Sequence, residues 1–135
     1  MIKHLAILGA GALLLAGCVA PESKSTGTSS VKHDAKVAGT SYHATANVPC
    51  SMGGGAPTGS CPAGVKRQGG GTAEVTVTKP DGRTRTIFFQ NGRAISADVS
   101  QADPGKFSAS RQADLNIIKI GQERYEIPDA FVVGG

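Results

Sequence analysis

The chain reads as an all-β protein: a small antiparallel meander of five to six strands forming a barrel or sandwich, preceded by a signal peptide and a disordered tether. Three observations predict this. From Thr72 onward, apolar residues recur at every second position, the period of a half-buried strand. Turn-forming pairs such as Asp81-Gly82 and Asn91-Gly92 punctuate that pattern, as they do between short strands. Beyond the first 17 residues, no stretch carries a helical period.

In the first strand of the meander, Ala73, Val75 and Val77 alternate with Glu74, Thr76 and Thr78, giving one dry face and one wet face. Lys79-Pro80-Asp81-Gly82-Arg83 places Pro and Asp-Gly where a tight turn needs them, and residues 84–90 resume the strand with Ile87 and Phe89 on one face. Asn91-Gly92 joins this to residues 93–99 as a hairpin, because both positions readily take positive φ. Residues 100–105, with Asp103-Pro104-Gly105, form a longer turn. Strands follow at 107–111, 115–120 and 125–127, separated by turns at Gln112-Ala113-Asp114 and Gly121-Gln122. Leu115, Ile117, Ile118 and Ile120 are denser than simple alternation, so that strand is expected to be central and covered on both sides. Residues 131–135 read as a final short strand. Residues 41–48 carry a weak extended signal, and the Gly-rich stretch 50–71 reads as a surface loop.

The start of the chain supplies an address. Lys3 provides a positive n-region and residues 5–15 an apolar h-region of about ten residues, the length of a secretory signal and short of the ~20 needed to span a bilayer. Leu15-Ala16-Gly17-Cys18 follows, and this stretch resembles the lipobox of bacterial lipoproteins. The resemblance implies cleavage before Cys18 and lipidation of its thiol, with palmitate among the acyl chains. Two or three long chains, at about 0.8 kcal/mol per buried CH₂, hold a protein at a membrane permanently. In that family an Asp after the Cys marks retention in the inner membrane. Val19 stands there, so the outer membrane facing the periplasm is the expected site.

The expected organisation is a signal peptide at 1–17, a lipidated Cys and flexible tether at 18–45, and a disulfide-stapled β domain at 46–135. The tether is rich in Ser, Thr, Ala and Lys and buries too little to offset its ordering entropy. Cys50 and Cys61 remain as an even pair in an oxidising compartment, where a disulfide is the default. Their spacing does not match a Cys-x-x-Cys redox or zinc motif. The formal charge of +4 is unevenly placed. Between residues 18 and 71, Lys24, Lys32, Lys36, Lys66 and Arg67 face only Glu22 and Asp34, whereas residues 72–135 are balanced. The excess therefore suits anionic headgroups or cell-wall polymers and not nucleic acid.

No catalytic constellation is visible. His4 leaves with the signal, and His33 and His43 lie in or beside the tether as solvated residues. Lys66-Arg67 among glycines lacks the Gly-Lys-Ser/Thr ending of a phosphate loop. Asp98, Asp103, Asp114, Glu123, Glu126 and Asp129 offer carboxylates, but each is expected in a turn or on a polar strand face beside a basic residue. No cluster suggests zinc or calcium, and no cofactor is expected. What remains is a cationic display of Arg83, Arg85, Arg93, Lys106, Arg111, Lys119 and Arg124, suited to an acidic partner.

Glu123-Arg124-Tyr125-Glu126-Ile127-Pro128-Asp129-Ala130, with the stretches 71–77 and 80–85, is similar to small uncharacterised lipoproteins of proteobacteria, a resemblance that brings no activity with it. A looser similarity is to membrane-bound lysozyme inhibitors, disulfide-stapled β barrels on lipid anchors that insert a Ser and a basic residue into the lysozyme cleft. Ser108, Ser110 and Arg111 are the approximate counterparts, while Trp is absent and the cysteines are placed differently. The expected function is that of an anchored, non-enzymatic module binding an envelope protein or peptidoglycan, with lysozyme or hydrolase inhibition as the alternative. Arg83, Arg85, Arg93, Ser108, Ser110 and Arg111 are the candidate contacts.

Overall fold

The computed structural model describes residues 34–98 and 105–134. Cys18, His33, the tether up to that point and the turn around Asp103 lie outside them.

Eight antiparallel strands make one sheet: β1 (Ala44–Ser51), β2 (Gly59–Gly69), β3 (Thr72–Thr78), β4 (Thr84–Gln90), β5 (Arg93–Ala97), β6 (Phe107–Gln112), β7 (Leu115–Ile120) and β8 (Glu123–Pro128), followed by the short helix α1 (Asp129–Val133). Their order is β5-β4-β3-β2-β1-β8-β7-β6. Every pair of neighbours other than β1 and β8 is consecutive in the chain. The sheet is thus an up-and-down meander whose first and last strands have joined, through Cys50 opposite Tyr125 and Ser51 opposite Arg124. The two free edges, β5 and β6, are also consecutive and come close together, so the barrel is nearly closed with a seam between them.

Strand alternation fills the interior. Val48, Cys50, Cys61, Ala63, Val65, Ala73, Val75, Val77, Ile87, Phe89, Ile118, Ile120, Tyr125 and Ile127 form one buried cluster. Full burial of such side chains stabilises by roughly 1.5–3 kcal/mol each, and this core is the main source of fold stability. At the β4–β5 turn, Asn91 (φ 52°) and Gly92 (φ 74°) both adopt the left-handed conformation that the Asn-Gly pair predicts. Cys50 and Cys61 are joined by a disulfide across β1 and β2, with Cα atoms 5.9 Å apart.

The structure corrects four local expectations. There are eight strands, not five or six, because residues 44–51 and 59–69 form the β1–β2 hairpin where a weak segment and a Gly-rich loop were expected. Their inward positions Val48, Cys50, Cys61, Ala63 and Val65 alternate, but the intervening glycines mask the period. Gly64 is required there: an added Cβ would lie 2.5 Å from the Tyr42 ring, which packs over it. The C-terminal segment is helical, not a strand. Its adjacent Phe131 and Val132 are both buried, which a strand's opposing faces would not allow against one core. β7 lies one strand in from an edge, not at the centre, although Ile117 and Ile118 on its two faces are both buried as expected. Finally, His43 is not merely solvated. Its Nδ1 accepts from Arg67 N at 2.8 Å, and its own N donates to Val65 O.

Contacts with the barrel also reach upstream of residue 46. The Arg67 guanidinium donates to Asp34 Oδ2 (2.7 Å) and to the carbonyl of Phe131 (2.9 and 3.1 Å), so one side chain ties the segment before β1 to the last turn of α1. The Phe131 carbonyl, in the last turn of a five-residue helix, has no partner within the helix, and a cation is a suitable complement.

Candidate functional site

The β1–β2, β3–β4 and β7–β8 connections lie at one end of the barrel, where β5 also ends and β6 begins, while α1 lies at the other. The helix plugs its end with Phe131 and Val132. The opposite end is charged.

Inward-facing positions there are held by Lys79, Arg85, Glu123 and Tyr125, all buried. Each arrives by continuation of a strand's alternation: Lys79 two residues beyond Val77, Arg85 two before Ile87, Glu123 two before Tyr125. The Arg85 guanidinium forks onto Glu123, Nε to Oε1 at 3.2 Å and Nη2 to Oε2 at 2.5 Å, and its Nη1 donates to Asp98 O at 2.7 Å. Tyr125 donates its hydroxyl to Glu123 Oε1 at 2.5 Å. The ammonium of Lys79 is 3.9 Å from the same oxygen, outside hydrogen-bond reach.

The titration behaviour follows from these contacts. Burial alone would raise the Glu123 pKa, but hydrogen bonds from Arg85 and Tyr125 outweigh it and hold the carboxyl below its ordinary value. The hydrogen bond to Glu123 holds Arg85 more firmly protonated than usual. Burial, then the hydrogen bond to Glu123, push the Tyr125 phenol well above its ordinary value, so it stays neutral. Two buried cations therefore share one buried carboxylate.

Above this cluster is an open cavity of about 590 Å³, walled by Lys79, Glu123, Met52, Pro80, Ile120 and Gln122, with Asp81 and Arg83 also in its lining. The wall is tightly built. Gly54 donates its N–H to Gln122 O at 2.7 Å, and a Cβ on Gly105 would lie 2.5 Å from Gly121 N, so the β1–β2 loop and the start of the β6 arm both press on the β7–β8 turn. The β3–β4 turn is fixed by Lys79 N to Arg83 O (2.8 Å) and by Arg83 N to Asp81 Oδ1 (2.9 Å).

The candidate contacts from the sequence are dispersed. Arg83 pairs with Asp81 at 2.8 Å at the cavity mouth. Arg85 is 1% exposed and lies in the barrel, which corrects its placement on a wet surface. It shares parity with Ile87 and Phe89, and that signal could have found it. Glu123 is likewise interior, not on a polar face. Arg93 is exposed at the start of β5, and Ser108 and Ser110 are exposed on β6. Arg111 lies on the other face of β6, bonded to Asp129 and, at 3.4 Å, to Gly92 O. Glu126 is paired with Arg124 at 2.9 Å, and Asp129 also accepts from Asn116. Cys50 and Cys61 are committed to their disulfide. Among the described residues, no three His, Cys, Asp or Glu side chains converge as a metal site. No helix of the described residues is long and apolar enough to cross a membrane.

No family model, curated protein or solved structure matches the chain.

Proposed function

We propose that this is a lipid-anchored lipoprotein of the bacterial envelope, fastened through Cys18 and facing the periplasm from the outer membrane. Its β barrel serves as a binding or structural module for an envelope protein or a cell-wall component. The observation that carries the reading is the conjunction of Leu15-Ala16-Gly17-Cys18 after an apolar h-region with a downstream disulfide-stapled barrel. A tight lipid anchor on a rigid module serves to hold that module at a surface. The barrel also offers accessible surface for a partner: Arg93 and Ile95 on β5, Ser108 and Ser110 on β6.

Metabolic labelling with an alkyne analogue of palmitate tests the anchor. The wild-type chain takes the label into the outer-membrane fraction, and Cys18→Ser abolishes it. Label retained by Cys18→Ser refutes lipidation at that residue. Photo-crosslinking residues placed at Ile95 and Ser108 in whole cells test the binding role, and a single crosslinked species absent from a control position such as Asp81 is expected. Failure of all surface positions to give any adduct refutes it.

A narrower reading, inhibition of a lysozyme, is favoured only by the exposure of Ser108 and Ser110 on one face of an edge strand. Arg111 is held on the opposite face by Asp129. Full lysozyme activity in the presence of micromolar protein sinks that reading.

A further inference from the structure

We infer that the open end of the barrel is a binding site for a small organic carboxylate, received by the ammonium of Lys79. The inference rests on the cavity and its charges and does not require the anchor.

The first ground is the way the charges are paired. Lys79 and Arg85 carry two positive charges into the barrel end, Glu123 carries one negative charge, and Tyr125 is neutral. Both Glu123 oxygens are occupied by the Arg85 fork and the Tyr125 hydroxyl. Arg83 is paired with Asp81 at the rim. Among the described residues, the nearest carboxylate oxygen to the Lys79 ammonium is Glu123 Oε1 at 3.9 Å, too far for a hydrogen bond.

The second ground is geometric. The Lys79 side chain is only 3% exposed, yet its nearest carboxylate oxygen is 3.9 Å away. Lys79 lines the cavity, and an anion entering it would give the ammonium a direct, charge-assisted hydrogen bond that Glu123 does not.

The third ground selects the ligand class. The cavity, at about 590 Å³, falls within the range of small-molecule sites. Met52, Pro80 and Ile120 give it an apolar wall beside the charge, suited to a carboxylate with a short apolar body. The cavity lining sets Lys79 and Arg83 beside Glu123 and Asp81, so it offers one ammonium and no cluster of surplus cations, which favours a monoanion over phosphate. The close approach of Gly105 to Gly121 and of Gly54 to Gln122 means that the walls are already assembled.

Isothermal titration of the full chain in nonionic detergent, with 4-methylpentanoate as probe, tests this. Binding of the carboxylate is expected, with 4-methylpentan-1-ol and inorganic phosphate each at least tenfold weaker. Lys79→Met removes the receiving charge and should weaken carboxylate binding at least tenfold. Met52→Trp, which fills the cavity without touching a charge, should do the same and keeps the test open if Lys79→Met fails to fold. The inference is overturned by no carboxylate binding, by equal affinity for the alcohol, by phosphate binding as tightly as the carboxylate, or by unchanged affinity in folded Lys79→Met. None of these outcomes bears on palmitate labelling at Cys18, so the two readings fail separately.

Discussion

Replacing Glu123 with Gln tests the central electrostatic arrangement. The side chain keeps its shape, but Arg85 loses its charged fork and two buried cations are left with no buried anion. Removing one partner of a buried ion pair costs about 3–5 kcal/mol, mostly from the uncompensated charge left behind. For a folded unit of roughly 100 residues, each kcal/mol moves Tm by about 4–8 °C, so Glu123→Gln should melt at least about 12 °C below wild type. Circular dichroism melts at neutral pH provide the measurement. The pH dependence has a definite sign. The folded-state pKa of Glu123 is lowered, so its contribution is present above the unfolded value, about 4.3, and is lost as pH falls through the folded value. Wild type should therefore lose stability on acidification over that window more steeply than Glu123→Gln. The fourfold variant Lys79→Met, Arg85→Met, Glu123→Leu, Tyr125→Phe removes every member of the cluster and should recover most of the loss, since apolar packing often matches a buried ion pair. A Glu123→Gln melting point within about 2 °C of wild type would refute the premise that this cluster is desolvated.

Three further perturbations probe the frame around the site. Substituting both Cys50 and Cys61 with Ser should cost about 2–3 kcal/mol by freeing a short loop in the unfolded chain, and the variant's Tm should no longer respond to reductant. Ile118→Ala, at a fully buried position, should cost about 2–5 kcal/mol in denaturant unfolding, whereas Ile95→Ala, 53% exposed, should stay within about 0.5 kcal/mol; equal effects would contradict the assigned inner face. Gly71→Ala places a Cβ 2.4 Å from Gly92 N at φ +78°, so it should destabilise by more than the ~1 kcal/mol typical of point substitutions, and a neutral outcome would mean that the two turns do not meet.

How far the sequence discloses this molecule depends on the reach of each signal. The strands β3, β4 and β7 are legible because Ala73-Val75-Val77, Ile87-Phe89 and the Leu115–Ile120 run carry their own period. The β1–β2 hairpin is not, since its few inward residues are separated by Asn, Pro, Gly and Ser. α1 is missed because five residues are too few to show a helical period, and only its place across the barrel end explains why Phe131 and Val132 are both buried. The charged cluster is half legible. Parity alone assigns Lys79, Arg85 and Glu123 to the inner face, since each lies two residues from an inward apolar neighbour. Parity cannot say that this inner face is dry at the strand ends. There an inward side chain meets water unless loops close over it, and the cover comes from Met52, Gly105 and Gln122, far apart in the chain. A Lys or Arg at a strand end thus reads as a solvated terminus until closure of the sheet is known. Arg85, from the cationic display, and its carboxylate partner Glu123 differ from the paired surface charges through that closure. The same long-range closure that hides Arg85 leaves Lys79 beside an open cavity, so the site is a property of the closed barrel and of no single segment.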